Sequence, residues 1–205
     1  SQFMEQFGDK NYPLLSVGEM SDVVTKGTTP TTVGFNFVDE GVNFIKVENI
    51  TATGQILNEE LMHITQGCHE KLSRSQLSDG DILFSIAGAI GRTAVVSADV
   101  LPANTNQALA IIRLKKDVNI VKTYLLAALA SHYVEKQYSV QKKGIAQINL
   151  TLKNIADLMI PIPPYKQQEE FAAFVEQSDK SKFEMEQALS ELTATYKRII
   201  TENLG

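Results

Sequence analysis

The spacing of hydrophobic positions changes period along this chain. Over residues 42–50 it alternates in part (Val42, Phe44, Ile45, Val47, Ile50), as a half-buried strand does. A turn, Ser78-Asp79-Gly80-Asp81, precedes the apolar run 82–86, which predicts a second strand. Ala87-Gly88-Ala89-Ile90-Gly91 joins that run to a third strand over 92–96, and 108–114 predicts a fourth. The period then shifts. Val121, Tyr124, Leu125, Ala128 and Leu129 recur at helical spacing, with Asn119 placed to cap them. Thr151 is placed to cap a short helix over 152–156, and 158–162 predicts a last strand. A further short helix is expected over 72–77. Residues 12–24 form an apolar opening segment. Loops are expected at Lys26-Gly27-Thr28-Thr29-Pro30-Thr31-Thr32, around Gly54, at 104–107 and at 141–144, before an apolar pattern resumes at 145–150.

The last stretch is of another kind. Ile160-Pro161-Ile162-Pro163-Pro164 stops any preceding element, and from there to Asn203 no Gly or Pro occurs. Alternate steps of four and three from Phe171 meet Val175, Ser178, Lys182, Met185, Leu189, Leu192, Tyr196, Ile199 and Asn203, a mostly apolar heptad seam interrupted at Ser178 and Lys182. A helix over 166–203 would be a rod of roughly 57 Å. Such a stripe needs a partner, either the chain's own domain or a second copy. The expectation is an α+β protein: a strand-rich globular domain over 1–165, then a long coiled-coil helix over 166–205 that dimerises through Phe171, Val175, Met185, Leu189, Leu192, Tyr196 and Ile199.

Composition narrows the class. With 43% hydrophobic and 21% charged residues, the 205-residue chain has the make-up of a water-soluble globular protein. No apolar run reaches membrane-spanning length and no signal peptide is visible, so a cytoplasmic location without membrane contact is expected. A single cysteine, Cys68, allows no internal disulfide. The net charge is −5, whereas a protein that binds nucleic acid unaided is usually basic. Residues 136–156 run against that balance, with Lys136, Lys142, Lys143 and Lys153 and no acid, a local surface suited to weak or assisted DNA binding.

Catalytic constellations are missing from the sequence. Pro163-Pro164-Tyr165 suggests the Pro-Pro-Tyr of adenine methyltransferases, but Ile162 stands where a polar residue must hold the flipped base. Gly88-Ala89-Ile90-Gly91 lacks the Lys-Ser/Thr of a phosphate loop. Cys68 and His69 have no orienting partner for nucleophilic chemistry. With His63 they still lack a fourth metal ligand, so 68–69 reads as a surface loop. No catalytic residue, metal or cofactor is expected.

Several segments in order carry a family resemblance. These are Gly27-Thr28-Thr29-Pro30; Gly80-Asp81-Ile82-Leu83-Phe84-Ser85 followed by Gly88-Ala89-Ile90-Gly91; Asn106-Gln107 before a strand; and Ile160-Pro161-Ile162-Pro163-Pro164-Tyr165-Lys166-Gln167-Gln168-Glu169. Nearly the full length resembles one repeat of the specificity subunit of type I restriction-modification systems. Gln168-Glu169 stands where that family more often has Glu-Gln. The resemblance implies a target recognition domain holding one half of a split duplex-DNA site, and long helices that pair antiparallel, set the distance between halves and dock methyltransferase subunits. It further implies a non-catalytic role and a restriction subunit reached through the complex. One repeat where the family's subunits carry two, beginning at Ser1 without an initiator Met, is expected of a half-subunit, natural or excised. Its partner would then be a second copy or a second half-subunit.

Loops should carry the binding, since Arg, Lys, Asn and Gln read base edges while Ser, Thr and Lys hold phosphates. The candidates are Lys26, Thr28, Thr29, Arg92, Asn106, Gln107, Lys142, Lys143 and Gln147. The rival expectation is a coiled-coil adaptor that binds protein rather than DNA, favoured slightly by the acidic net charge.

Overall fold

A computed structural model describes residues 2–8, 10–139 and 149–204. A four-stranded antiparallel sheet lies at its centre. Strands β1 (Leu14–Ser16) and β2 (Ser21–Lys26) flank helix α1 (Val17–Met20). Next come β3 (Phe37–Val38), β4 (Val42–Ile45), β5 (Met62–Ile64), helix α2 (Gln66–Lys71), β6 (Ile82–Ser85), β7 (Thr93–Val95), β8 (Ala103–Thr105) and β9 (Leu109–Leu114). Helices α3 (Lys122–Leu129), α4 (His132–Ser139) and α5 (Leu152–Ala156), strand β10 (Met159–Pro161) and helix α6 (Tyr165–Leu204) complete the chain. The central sheet has the order β2-β9-β6-β7; a second has the order β3-β5-β4-β8, and β1 pairs with β10.

The central sheet is covered on both sides, so β6 is buried at every residue rather than at alternate ones. Ile82 and Phe84 join Ala110 and Ile112 against α3, α5 and the N-terminal helical segment. Leu83 joins Leu109 and Ile111 on the other side, against Ile45, Ile50 and Val100. Val42, Phe44, Ile64, Cys68 and Leu72 form a third cluster beneath α2.

Most expected elements are present, and the departures have physical causes. The strand expected over 42–50 ends at Ile45, because Val47–Asn49 turns into a 3₁₀ helix closed by Lys46 N–H donating to the Asn49 side chain at 2.8 Å. The helix expected over 72–77 is a 3₁₀ turn, Ser73–Ser75, behind α2, which the pattern did not announce. The loop expected over 104–107 is a strand as far as Thr105. Asn104 is fully buried there, its amide nitrogen donating to the Leu72 carbonyl (3.1 Å) and Ser75 Oγ (3.0 Å), so its polarity is satisfied internally. Residues 68–69 are not a surface loop: Cys68 is buried in α2, where burial pushes its thiol pKa up, and the half-buried His69 ring bonds Asn104. Asn119 does not cap α3. Val121 occupies that position, and its N–H is met by the side chain of Gln168 at 3.0 Å. Thr151, by contrast, caps α5 as expected, in a reciprocal pair with Asn154.

Helix α6 runs for 40 residues, about 60 Å. Its first turns are bound to the globular part. Phe171 is buried among Phe3, Phe7 and Tyr124, with ring centroids 5.2–6.0 Å apart. Gln168, also buried, spans from Val121 N–H to the Pro163 carbonyl, to which it donates at 2.9 Å. Thr123 Oγ1 donates to Glu176 at 3.2 Å, one turn past Ala172. Beyond that point Met185, Leu189, Leu192 and Tyr196 are 63–67% exposed.

Candidate nucleic-acid interface

The residues singled out from the sequence fall into three groups. Lys26, Thr28, Thr29, Asn106 and Gln107 come together. Lys26 closes β2 opposite Ala110 on β9, and the chain then turns back over the end of β8, Thr28 N–H donating to the Thr105 carbonyl at 3.1 Å. Gly27 makes that approach available: a β-carbon there would run into the Thr105 and Asn106 carbonyl oxygens, so no other residue fits without moving the backbone. The Thr29 hydroxyl donates to the Gln107 side chain, which leaves the Gln107 amide nitrogen available as a donor. Asn106 Oδ1 accepts from Ala108 N–H at 3.0 Å, which likewise leaves its amide nitrogen available as a donor. Lys26 and Gln107 are exposed; Thr28, Thr29 and Asn106 are half-buried. A cation, the Thr28 hydroxyl and two oriented carboxamides on one surface, Gln107 held by Thr29, form a donor-rich set suited to phosphate oxygens and base edges.

Arg92 stands apart. Its guanidinium reaches the carbonyls of Ile50 (2.9 Å) and Val47 (3.4 Å), so it braces the 3₁₀ turn that ends β4. Lys142, Lys143 and Gln147 lie outside the described residues. On α6, Phe171 is spent within its own chain, Val175 is half-buried beside α3, and Met185, Leu189, Leu192 and Tyr196 lie open; the side chain of Ile199 is outside the described set.

The sequence did not point to the segment 66–76, which abuts this surface through the bonds of Asn104. It exposes Lys71 and Arg74. The only sequence signal was two cations within four residues, with no periodicity to set them apart from solvated charge. Among the described residues, no three His, Cys, Asp or Glu side chains converge to hold a metal, and no helix is long and apolar enough to cross a membrane.

Residues 11–194 match the family described as the type I restriction modification DNA specificity domain. Over 141 residues the chain is 30% identical to the type I restriction enzyme EcoBI specificity subunit of Escherichia coli, covering 68% of this chain and 29% of that protein. A chain from a solved type I R-M system superposes with a TM-score of 0.66 at 20% identity, over 97% of this chain and 47% of its own length. The HsdS subunit from Thermoanaerobacter tengcongensis does so with a TM-score of 0.62 at 20% identity, over 91% and 43%. At that identity the two structures speak for the fold alone. The chain spans less than a third of the curated relative and under half of either solved chain.

Proposed function

The chain belongs to the type I restriction-modification DNA specificity family, and from that premise we propose that it reads one half of a bipartite duplex-DNA site and docks methyltransferase subunits, without catalysing a reaction itself. Residues 1–165 act as the target recognition domain. Residues 166–205 act as the spacer helix, which pairs antiparallel with a second copy or a second half-subunit. The restriction subunit joins through the complex. The observation that carries this reading is that a single family match runs unbroken from the globular part into the rod, over residues 11–194. The donor-rich surface at the 26–29 and 106–107 loops and the bare apolar stripe on α6 support it, since one offers hydrogen bonds to DNA and the other offers a helix face to a partner.

Lys26, Thr28, Thr29, Asn106 and Gln107 supply contacts from that surface, and Lys142, Lys143 and Gln147 from the acid-free segment. Arg92 contributes by holding the neighbouring turn. With two identical chains paired antiparallel, a two-fold axis crosses the rod, so the two half-sites are inverted repeats with one fixed spacer.

A gel-shift titration on duplex DNA over a range of salt, with and without the methyltransferase subunits, tests the proposal. Binding that appears with the subunits and weakens steeply with salt is the expected result. Lys142→Ala combined with Lys143→Ala should lower affinity for all sequences and flatten the salt slope. No shift under any of these conditions would leave the protein-binding adaptor as the better reading.

A further inference from the structure

A cleft opens on the face of the central sheet that points away from α3. It has a volume of about 230 Å³ and lies between β2, β9 and the 3₁₀ turn Ser73–Ser75. Val23 and Ile111 form its apolar wall, and Thr25, Ser73, Arg74, Gln76 and Arg113 its polar side. The acid paired with Arg113 is fully committed. Asp81 is 1% exposed and accepts from Arg113 Nε and Nη2, both at 2.7 Å, and from Ser78 N–H at 2.8 Å. Arg113 is therefore charge-compensated. Arg74 is exposed and has no acidic partner among the described residues.

A guanidinium without a counter-ion, beside two hydroxyls and an apolar wall, suits a tetrahedral oxyanion. Its fork matches two phosphate oxygens, and Ser and Thr hydroxyls donate to the others. The volume suits one phosphate with part of a sugar and is too small for a stacked base as well. The location selects the source of that phosphate. β2 leads from Thr25 in the cleft to Lys26, Thr28 and Thr29 on the donor-rich surface, at most ~13 Å at strand rise, or about four base steps of duplex. The other wall is tied to that surface as well, because Asn104 on β8 holds Leu72 and Ser75.

Resting on the specificity reading, we propose that this cleft holds one phosphodiester of the DNA backbone beside the half-site, with Arg74 as its phosphate-binding residue. The contact fixes register on the duplex and carries no base information.

The test uses the chain assembled with its methyltransferase subunits and a set of duplexes bearing the methylated site. Each duplex carries a single neutral methylphosphonate at one backbone position. The wild-type complex should lose roughly tenfold in affinity at one position a few steps from the half-site, the scale of a charge-assisted bond. Arg74→Ala should bind every unmodified duplex about tenfold more weakly, specific or scrambled, lower the salt slope by about one, and be insensitive to methylphosphonate at that same position. Arg74→Lys should restore part of the affinity. Insensitivity at a single shared position is a result that a merely structural Arg74 would not give. If the wild type binds and Arg74→Ala matches it in affinity and methylphosphonate profile, the cleft is not a backbone site, while the specificity reading stands. Loss of inorganic phosphate binding by Arg74→Ala with DNA binding unchanged would make it a free-anion site and overturn the proposal. Absence of DNA binding by the wild-type complex would overturn both.

Discussion

The two halves of α6 have the same heptad spacing and opposite surroundings. In the first turns Phe171 is 3% exposed, Ala172 is buried and Gln168 is 1% exposed. About four to six turns later, Met185, Leu189 and Leu192 are 64–67% exposed although they continue the same seam. Hydrophobic periodicity therefore marks a face without saying what covers it. The proximal half is covered because Phe3 and Phe7, from the start of the chain, and Tyr124, from α3, converge on it. The distal half has outrun the globular part, and among the described residues its seam side chains Met185, Leu189, Leu192 and Tyr196 lie open. The interruption at Ser178 and Lys182 falls where the one environment gives way to the other, so the break in the seam marks a change of surroundings.

The contrast can be broken most strongly at its proximal end. Phe171→Ala removes an aromatic ring packed on three others and should cost the folded domain about 3–5 kcal/mol, read as a large drop in melting temperature. Gln168→Ala leaves the Val121 N–H and the Pro163 carbonyl without partners inside the fold. A loss of about 1–3 kcal/mol is expected in urea unfolding. Either variant behaving like wild type would mean that the helix base is not part of the core.

At the distal end the same chemistry should leave the domain almost untouched. Leu189→Asp with Leu192→Asp should change domain stability by under about 1 kcal/mol, since neither side chain is buried in the monomer. Light scattering should nonetheless show the wild-type dimer reduced to monomers. A monomeric wild type at high concentration would remove the paired-helix reading. The smallest effect on stability is expected from a seven-residue insertion near Lys182, which keeps the heptad phase and lengthens the rod by ~10.5 Å. Methylation mapping should then find the same half-sites with a spacer longer by about 3 bp. A spacer indifferent to the insertion would show that the rod does not set the distance.

The interface divides along a similar line between local and distant causes. Thr28, Thr29, Asn106 and Gln107 were legible as polar loop residues, because Gly, Pro and clustered polar residues mark loops locally, whereas Lys26 ends a strand. That they share one surface was not legible, since Gly27 meets Thr105 across nearly eighty residues of chain. Arg92 shows the same limit: its type marks a cation, and that it reaches the Val47 and Ile50 carbonyls, more than forty residues earlier, is decided by packing alone. Nothing local in the sequence distinguishes Arg74, because only the packing of the 66–76 segment against β2 and β8 gives it a cleft.

By itself the sequence determined what short-range physics dictates. The Pro-rich stop and restart at α6, the Thr151–Asn154 capping pair, the Asp79-Gly80 turn and the apolar runs that became β6 and β9 all depend on neighbours a few residues away. The order of its motifs also determined the family. Tertiary structure decided which polar residues could be buried and where each apolar face was spent. Asn104 reads as loop until Leu72 and Ser75 satisfy its amide, and Asn119 reads as a cap until Val121 takes that position with its N–H met by Gln168, 47 residues downstream. The reason is one of free energy. A polar group enters a core only when a partner replaces its water, and where that partner is distant in sequence a pattern along the chain carries no record of it.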